Sequence, residues 1–198
     1  MHKNYRLILL DRPLSLLLLL FSAWLYSSPA VADEIWELLK QPGHIVLLRH
    51  SNAPGAKEEP YGINLKDCSI QRNLDEAGRL QARRIGDEFR KHGIQKLRLV
   101  SSQFCRALET AKLMNLGPIE ELPALNQVFL ADLIRLNESA ERARQFMRTI
   151  PANQPALLVS HVTNIQSIAG SLLSSGEMVV VHFDPSGHIT VDGRMLVP

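Results

Sequence analysis

Ile45-Val46-Leu47-Leu48-Arg49-His50 joins four apolar residues, unbroken by a polar one, to two basic residues. An apolar run of this length reads as a strand buried on both faces, the kind found in the middle of a parallel sheet. Ser51, Asn52, Pro54 and Gly55 follow, so Arg49 and His50 stand at the carboxyl end of that strand, where open α/β sheets bind their ligands. A guanidinium placed there suits a phosphate, because its fork of donors meets two oxygens at once. An imidazole beside it can bind the same group or attack it. A solvated, idle Arg-His pair on a loop is the plain alternative.

Working outward, strand-like and helix-like segments alternate. Glu34 to Gln41 reads as a short leading helix ending at Pro42-Gly43, and Ser51 to Gln71 as a long irregular loop of the kind that forms lids or binding surfaces. Asp75 is a helix N-cap, with Ala82, Ile85 and Phe89 at helical spacing and Gly93 as the stop. Leu97 to Val100 is a second strand, Cys105 to Asn115 a helix, and Pro118 to Leu122 a short edge strand. Asn126 to Leu136 gives no clear pattern. A helix over Glu138 to Ile150 precedes a buried strand, Ala156 to Val159, and a helix from about Asn164 to Leu172. The tail changes character: Met178 to Phe183 and Ile189 to Val191 flank one turn, and Asp192-Gly193 predicts another before Met195 to Val197. The order predicts a three-layer α/β/α domain with a largely parallel central sheet and antiparallel strands at the C-terminal end.

The first 32 residues have the form of an export signal. Lys3, Arg6 and Arg12 are basic, Leu14 to Tyr26 is an apolar run, and Ala30-Val31-Ala32 offers a small-x-small cleavage site. The run is short for a membrane-spanning helix, which needs about 20 apolar residues, although an uncleaved anchor is the alternative. The expectation is a signal over 1–32, a single domain over 33–198, and a periplasmic or secreted location. The net charge of +2 resides in the leader, and the remainder balances to zero. Nothing in it suggests nucleic acid or an anionic membrane as a partner. Two cysteines remain, Cys68 and Cys105, and an even count in an oxidising compartment favours a bridge over two separate thiols.

Three predicted parallel strands end in ionisable groups: Arg49-His50 after the first, Arg106 after the second and His161 after the third. Two guanidiniums and two imidazoles converging on one point would neutralise a phosphate dianion and stabilise phosphoryl oxygens in transfer. Either histidine could attack, and His50 is the better placed. A histidine attacks through a neutral nitrogen, so its other nitrogen should donate to a backbone carbonyl. Among the other histidines, His182 and His188 bracket the tail turn as surface residues, while His44 and His92 have no evident partner.

Leu47 to His50, Asn73 to Gly78, Ser101-Ser102 with Arg106 to Ala111, and Val159 to His161 together resemble the motifs of the histidine phosphatase superfamily, the phosphoglycerate-mutase-like fold. The resemblance extends over about residues 45 to 170. It implies a phosphohistidine on His50, phosphate held by Arg49, Arg106 and His161, and a structural role for Asp75 and Gly78. It implies a phosphorylated substrate, no cofactor and no metal. The chain departs from the pattern at the proton donor. Gln127 follows Leu125-Asn126 where one branch carries a Glu, and Val162 follows His161 where the other carries an Asp. A general acid is worth roughly 10²–10⁴-fold. Glu177 is therefore the preferred substitute and Asp132 the second choice, unless the leaving group needs no proton. Cys105, beside Arg106, would let a bridge to Cys68 pin the Ser51–Gln71 loop over the pocket.

The leading expectation is an exported phosphatase. The alternative is a non-catalytic phosphate or phospho-ligand binding protein on the same fold. A mutase would be separated by export from its phosphorylated sugar-acid substrates, and Ser160-His161 lacks the G-x-S-x-G elbow of a serine hydrolase.

Overall fold

The computed structural model of the chain describes residues 29–55, 62–129 and 131–197. The apolar run Leu14 to Tyr26 and most of the expected signal, up to residue 28, lie outside these. The elements in order are α1 (Pro29–Leu38), β1 (Ile45–Arg49), α2 (Glu76–Lys91), β2 (Arg98–Ser101), α3 (Cys105–Met114), β3 (Ile119–Glu121), α4 (Leu133–Arg148), β4 (Ala156–Ser160), α5 (Val162–Ala169), β5 (Glu177–Phe183) and β6 (Ile189–Leu196). No helix among the described residues is long and apolar enough to cross a membrane.

The six strands form one sheet in the order β3-β2-β4-β1-β5-β6. β1 and β2 both pair parallel with β4, and β3 pairs parallel with β2, so β1, β2 and β4 end at one edge. β5 is antiparallel to β1, and β6 is antiparallel to β5. The expected architecture is therefore the observed one.

Side chains alternate across a strand, and here the two faces build two cores. Val46, Leu48, Leu99, Leu157, Val159, Met178 and Val180 pack against Trp36 of α1, Ile85 and Phe89 of α2, and Ala107, Ala111 and Met114 of α3. Ile45, Leu47, Val100, Leu158, Val179 and Val181 pack against Ala140, Ala143 and Met147 of α4 and Ile165 and Ile168 of α5. Each fully buried aliphatic side chain contributes roughly 1.5–3 kcal/mol, so both faces of β1 and β4 hold the central sheet in place.

Several local expectations change. α1 begins at Pro29 and ends at Leu38, upstream of the helix read at Glu34 to Gln41, and the expected cleavage junction falls within it. α4 starts at Leu133, five residues before Glu138, because Asp132 accepts from the backbone N–H of Arg135 and caps it. The exposed Leu133 and Ile134 hide the helix from a search for an amphipathic face. α5 ends at Gly170, which adopts a left-handed conformation, and does not reach Leu172. Asp192-Gly193 is not a turn. β6 runs straight through it with a bulge, since Val180 pairs with Gly193 and Val181 with Val191, leaving Asp192 as the extra residue. A Cβ at Gly193 would come within 2.9 Å of the Ile35 side chain of α1, so a larger residue there would have to displace that side chain.

Two close approaches position the helices behind the site. A Cβ on Gly78 would sit 2.0 Å from the carbonyl oxygen of Asn52, and one on Gly86 would sit 2.1 Å from that of Met114. The second contact sets the spacing of α2 and α3. Gly86→Ala is expected to lower stability by about 3 kcal/mol, the upper part of the usual overpacking range, read as a shift in urea midpoint at unchanged m-value.

Candidate active site

Arg49 is the last residue of β1, and its Nη1 donates to the carbonyl of Leu173 at 2.8 Å. The backbone N–H of His50 continues the sheet pairing to Ser160 at 3.1 Å. His50 is buried, and its Nδ1 lies 2.8 Å from its neighbour's carbonyl, Ser51 O. A carbonyl can only accept, so Nδ1 carries the proton and Nε2 keeps its lone pair. That is the tautomer a nucleophilic imidazole needs.

Arg106 sits in the first turn of α3 and is fully buried. Its Nη2 donates to the side-chain oxygen of Gln127, its Nη1 donates to Arg72 O at 3.4 Å, and its guanidinium lies over the Phe104 ring. His161, at the start of α5, has its ring 5.3 Å from that of His50 and 5.1 Å from that of Phe104. Its Nε2 meets the Ser102 hydroxyl at 2.8 Å. Arg49 Nε, Ser51 Oγ and His161 Nδ1 are buried with no hydrogen-bond partner among the described residues. Buried polar atoms are seldom left so, and these face a charged ligand's chemistry more readily than a sealed core.

The electrostatics are one-sided. Burial, then Arg106, and further Arg49 and Arg72 push His50 down to about 3, against the opposing bond to Ser51 O. His161 is held well below the usual histidine value, first by burial and then by Arg106. Both rings are therefore neutral near pH 7. Arg49 is lowered by burial and by Arg72, and is partly supported by Glu177.

The structure thus brings Arg49, His50, Arg106 and His161 together. It adds Arg72, which the sequence reading passed over, and whose charge acts on both histidines and on Arg49. The available signal was a basic residue directly before the Asn73-Leu74-Asp75 cap. Asp75 accepts from Gly78 N at 2.7 Å and from the Asn52 side chain at 3.0 Å, joining α2 to the loop after His50.

Glu177 is placed differently. One carboxylate oxygen pairs with Arg194 at 2.7–2.8 Å and the other accepts from Ser174 N at 2.7 Å. Its charge supports Arg49, and both of its oxygens are engaged by these partners. Asp132 caps α4 and pairs with Arg135 at 3.5 Å. Gln127 stands against Arg106 and offers an amide in place of an acid.

Cys68 and Cys105 are bridged, as expected. The same segment is tied to α3 by Gln71, whose side-chain oxygen accepts from Cys105 N at 2.9 Å. A groove of about 910 Å³ opens alongside, running from Phe104, Asn126 and Gln127 between Ile63, Leu65, Phe129 and the start of α4.

Guanidiniums and neutral imidazoles gathered at the carboxyl edge of a parallel sheet form a site whose chemistry suits an anionic group such as phosphate. Residues 45–137 match the histidine phosphatase superfamily (branch 1), and the fold is that of this superfamily. No curated protein matches the chain in sequence. Among solved structures, the protein histidine phosphatase SixA complexed with tungstate is 17% identical with a TM-score of 0.52, covering 77% of this chain and 96% of its own. A mycobacterial glucosyl-3-phosphoglycerate phosphatase with VO3 is also 17% identical, with a TM-score of 0.55 over 75% of this chain and 96% of its own. A phosphoserine phosphatase from Entamoeba histolytica with 3-phosphoglyceric acid is 13% identical, with a TM-score of 0.57 over 76% and 95%.

Two outcomes follow from this geometry. Because His50 and His161 are lowered in the folded state, the unfolded chain takes up protons first as pH falls. Stability should be unaffected above about pH 6.5 and fall from there toward pH 3, by up to about 1.4 kcal/mol per pH unit for each histidine. His50→Asn should flatten that slope in pH-dependent urea melts. Replacing both cysteines by Ser should lower stability by roughly 3–4 kcal/mol, the chain-entropy value for a loop of this size. It should also speed backbone hydrogen exchange over residues 62–74, because the segment carrying Arg72 is no longer tied covalently to α3.

Proposed function

We propose that this chain is an exported phosphatase that works through a phosphohistidine on His50. The observation that carries the reading is the neutral His50 with Nδ1 bonded to Ser51 O, set among Arg49, Arg72 and Arg106. The Nε2 lone pair attacks phosphorus, and the bond to the leaving group breaks with its electron pair departing on that group. Water then attacks phosphorus, the P–Nε2 bond breaks, and His50 recovers its lone pair as phosphate leaves. The guanidiniums and the His161 ring hold the phosphoryl oxygens throughout, a contribution that requires no reorganisation during reaction.

The substrate is one whose leaving group departs without a proton donated by the protein: an aryl phosphate, a phosphoanhydride, or a phosphohistidine whose ring already carries a proton and so leaves as neutral imidazole. Gln127 beside Arg106, Glu177 tied to Arg194 and Asp132 capping α4 support this. The apolar groove past Phe104 supports a leaving group with a hydrophobic body. The leader-like opening and the Cys68–Cys105 bridge support export. A non-catalytic phosphate-binding protein is the second reading, favoured by the same want of a placed acid among the described residues.

The test compares para-nitrophenyl phosphate with glycerol phosphate, and looks for acid-labile phosphate on the protein. Expected are at least about 100-fold faster turnover of the aryl ester, trapping of phosphate on His50, and no turnover in His50→Ala. Glu177→Gln should change both substrates by the same small factor. Tungstate or phosphate binding without turnover of either ester or of acetyl phosphate would establish the second reading instead.

A further inference from the structure

At the opposite end of β1 from His50, about 20 Å away along the strand, His44, His182 and Asp192 meet. They come from the turn before β1, from β5 and from the bulge of β6. His182 Nδ1 is 2.8 Å from Asp192 Oδ2, and His44 Nε2 is 3.6 Å from the same oxygen. The two rings are 5.6 Å apart, and one ligand atom from each residue lies within 4.8 Å of the other two. Three ligands at about 2.0–2.2 Å around a tetrahedral ion are separated by about 3.3 Å, which these distances bracket.

Further features distinguish this group from a chance surface cluster. His44 Nδ1 lies 3.3 Å from the carbonyl of Gln41, which leaves Nε2 as the lone-pair nitrogen facing Asp192. A carbonyl fixing the far nitrogen of a ligating histidine is a usual companion of metal sites. Asp192 is the extra residue of the bulge, and bulges re-aim side chains. The His44, Asp192 and His182 side chains are 13%, 16% and 34% exposed, so the group is sheltered but reachable. His44 and His182 border an open cavity of about 360 Å³, with room for an ion to enter and for water to complete its shell. Arg148 on its wall is paired with Glu141 at 3.5 Å, which offsets its charge.

We propose that His44, His182 and Asp192 bind one divalent first-row transition-metal ion of the zinc class, with water as the remaining ligand. Two imidazoles and a carboxylate suit zinc, cobalt, nickel or copper and do not suit magnesium or calcium. On binding, the proton on His182 Nδ1 moves to Nε2 of the neutral ring or leaves the imidazolium, so affinity declines in acid. The ion joins the turn before β1 to the antiparallel edge of the sheet, and stabilises the folded state without entering the phosphoryl chemistry.

The untagged protein, stripped with a chelator, is titrated with CoCl2 and ZnCl2 while Co2+ absorption in the visible and the melting temperature are followed. Expected are one ion per chain, d–d bands of a four- or five-coordinate Co2+ site that Zn2+ abolishes, and a rise in melting temperature. His44→Ala, His182→Ala and Asp192→Asn should each weaken binding at least tenfold. Asp192→Asn preserves the side chain's shape and guards against misfolding, checked by an unchanged metal-free melt. His50→Ala should leave binding intact. The proposal falls if the wild type shows no d–d bands or if binding survives His44→Ala and His182→Ala. It falls equally if binding disappears with His50→Ala, which would assign the ion to the phosphate hollow.

Discussion

A neutral imidazole held among guanidinium groups is the constraint on which the rest of this molecule depends. Left in water, His50 would share its lone pair with a proton for part of the time. Burial and the charges of Arg106, Arg49 and Arg72 make that protonation unfavourable, and the carbonyl of Ser51 decides which nitrogen keeps the hydrogen. Concentrating like charges in this way opposes folding. The fold offsets it with partners that do not cancel the positive field: the amide of Gln127, the carbonyls of Arg72 and Leu173, and the face of Phe104. Among the described residues, Glu177, tied to Arg194, brings a carboxylate's field to Arg49.

Such a site must be held by something other than the attraction of its own members. The loop after β1 is fixed from behind: Ser51 N donates to the hydroxyl of Thr110 in α3, and Asn52 N donates to Gln81 in α2. Asn52 also donates to Asp75, the cap of α2, whose close approach allows only glycine at position 78. The other wall is held covalently at Cys68–Cys105 and by Gln71 on Cys105 N. Three of these hydrogen bonds join a side chain to a backbone N–H, so the loop residues that make them are held without being absorbed into the sheet.

The central sheet was legible because strands buried on both faces leave little choice of residue. Ile45 to Leu48 and Ala156 to Val159 are continuous apolar runs, Leu97 to Val100 is broken only by Arg98, and each one is followed by polar residues that mark the ligand-binding edge. Arg49, His50, Arg106 and His161 were legible for the same reason. α4 was partly hidden because Leu133 and Ile134 face outward, and the tail bulge was mistaken for a turn because Asp-Gly serves both geometries. Arg72 escaped notice because it lies in a segment whose position depends on the bridge and on Gln71.

The sequence by itself determined the order of strands and helices, the two faces of the sheet, and the basic groups at its carboxyl edge. Those follow from short-range periodicity and from the chemistry of each side chain. Only the tertiary structure decided which charges surround His50, that Glu177 turns to Arg194, and that His44, His182 and Asp192 meet. These depend on distances between residues up to 148 apart in the chain, as Asp192 is from His44, and no local pattern encodes them.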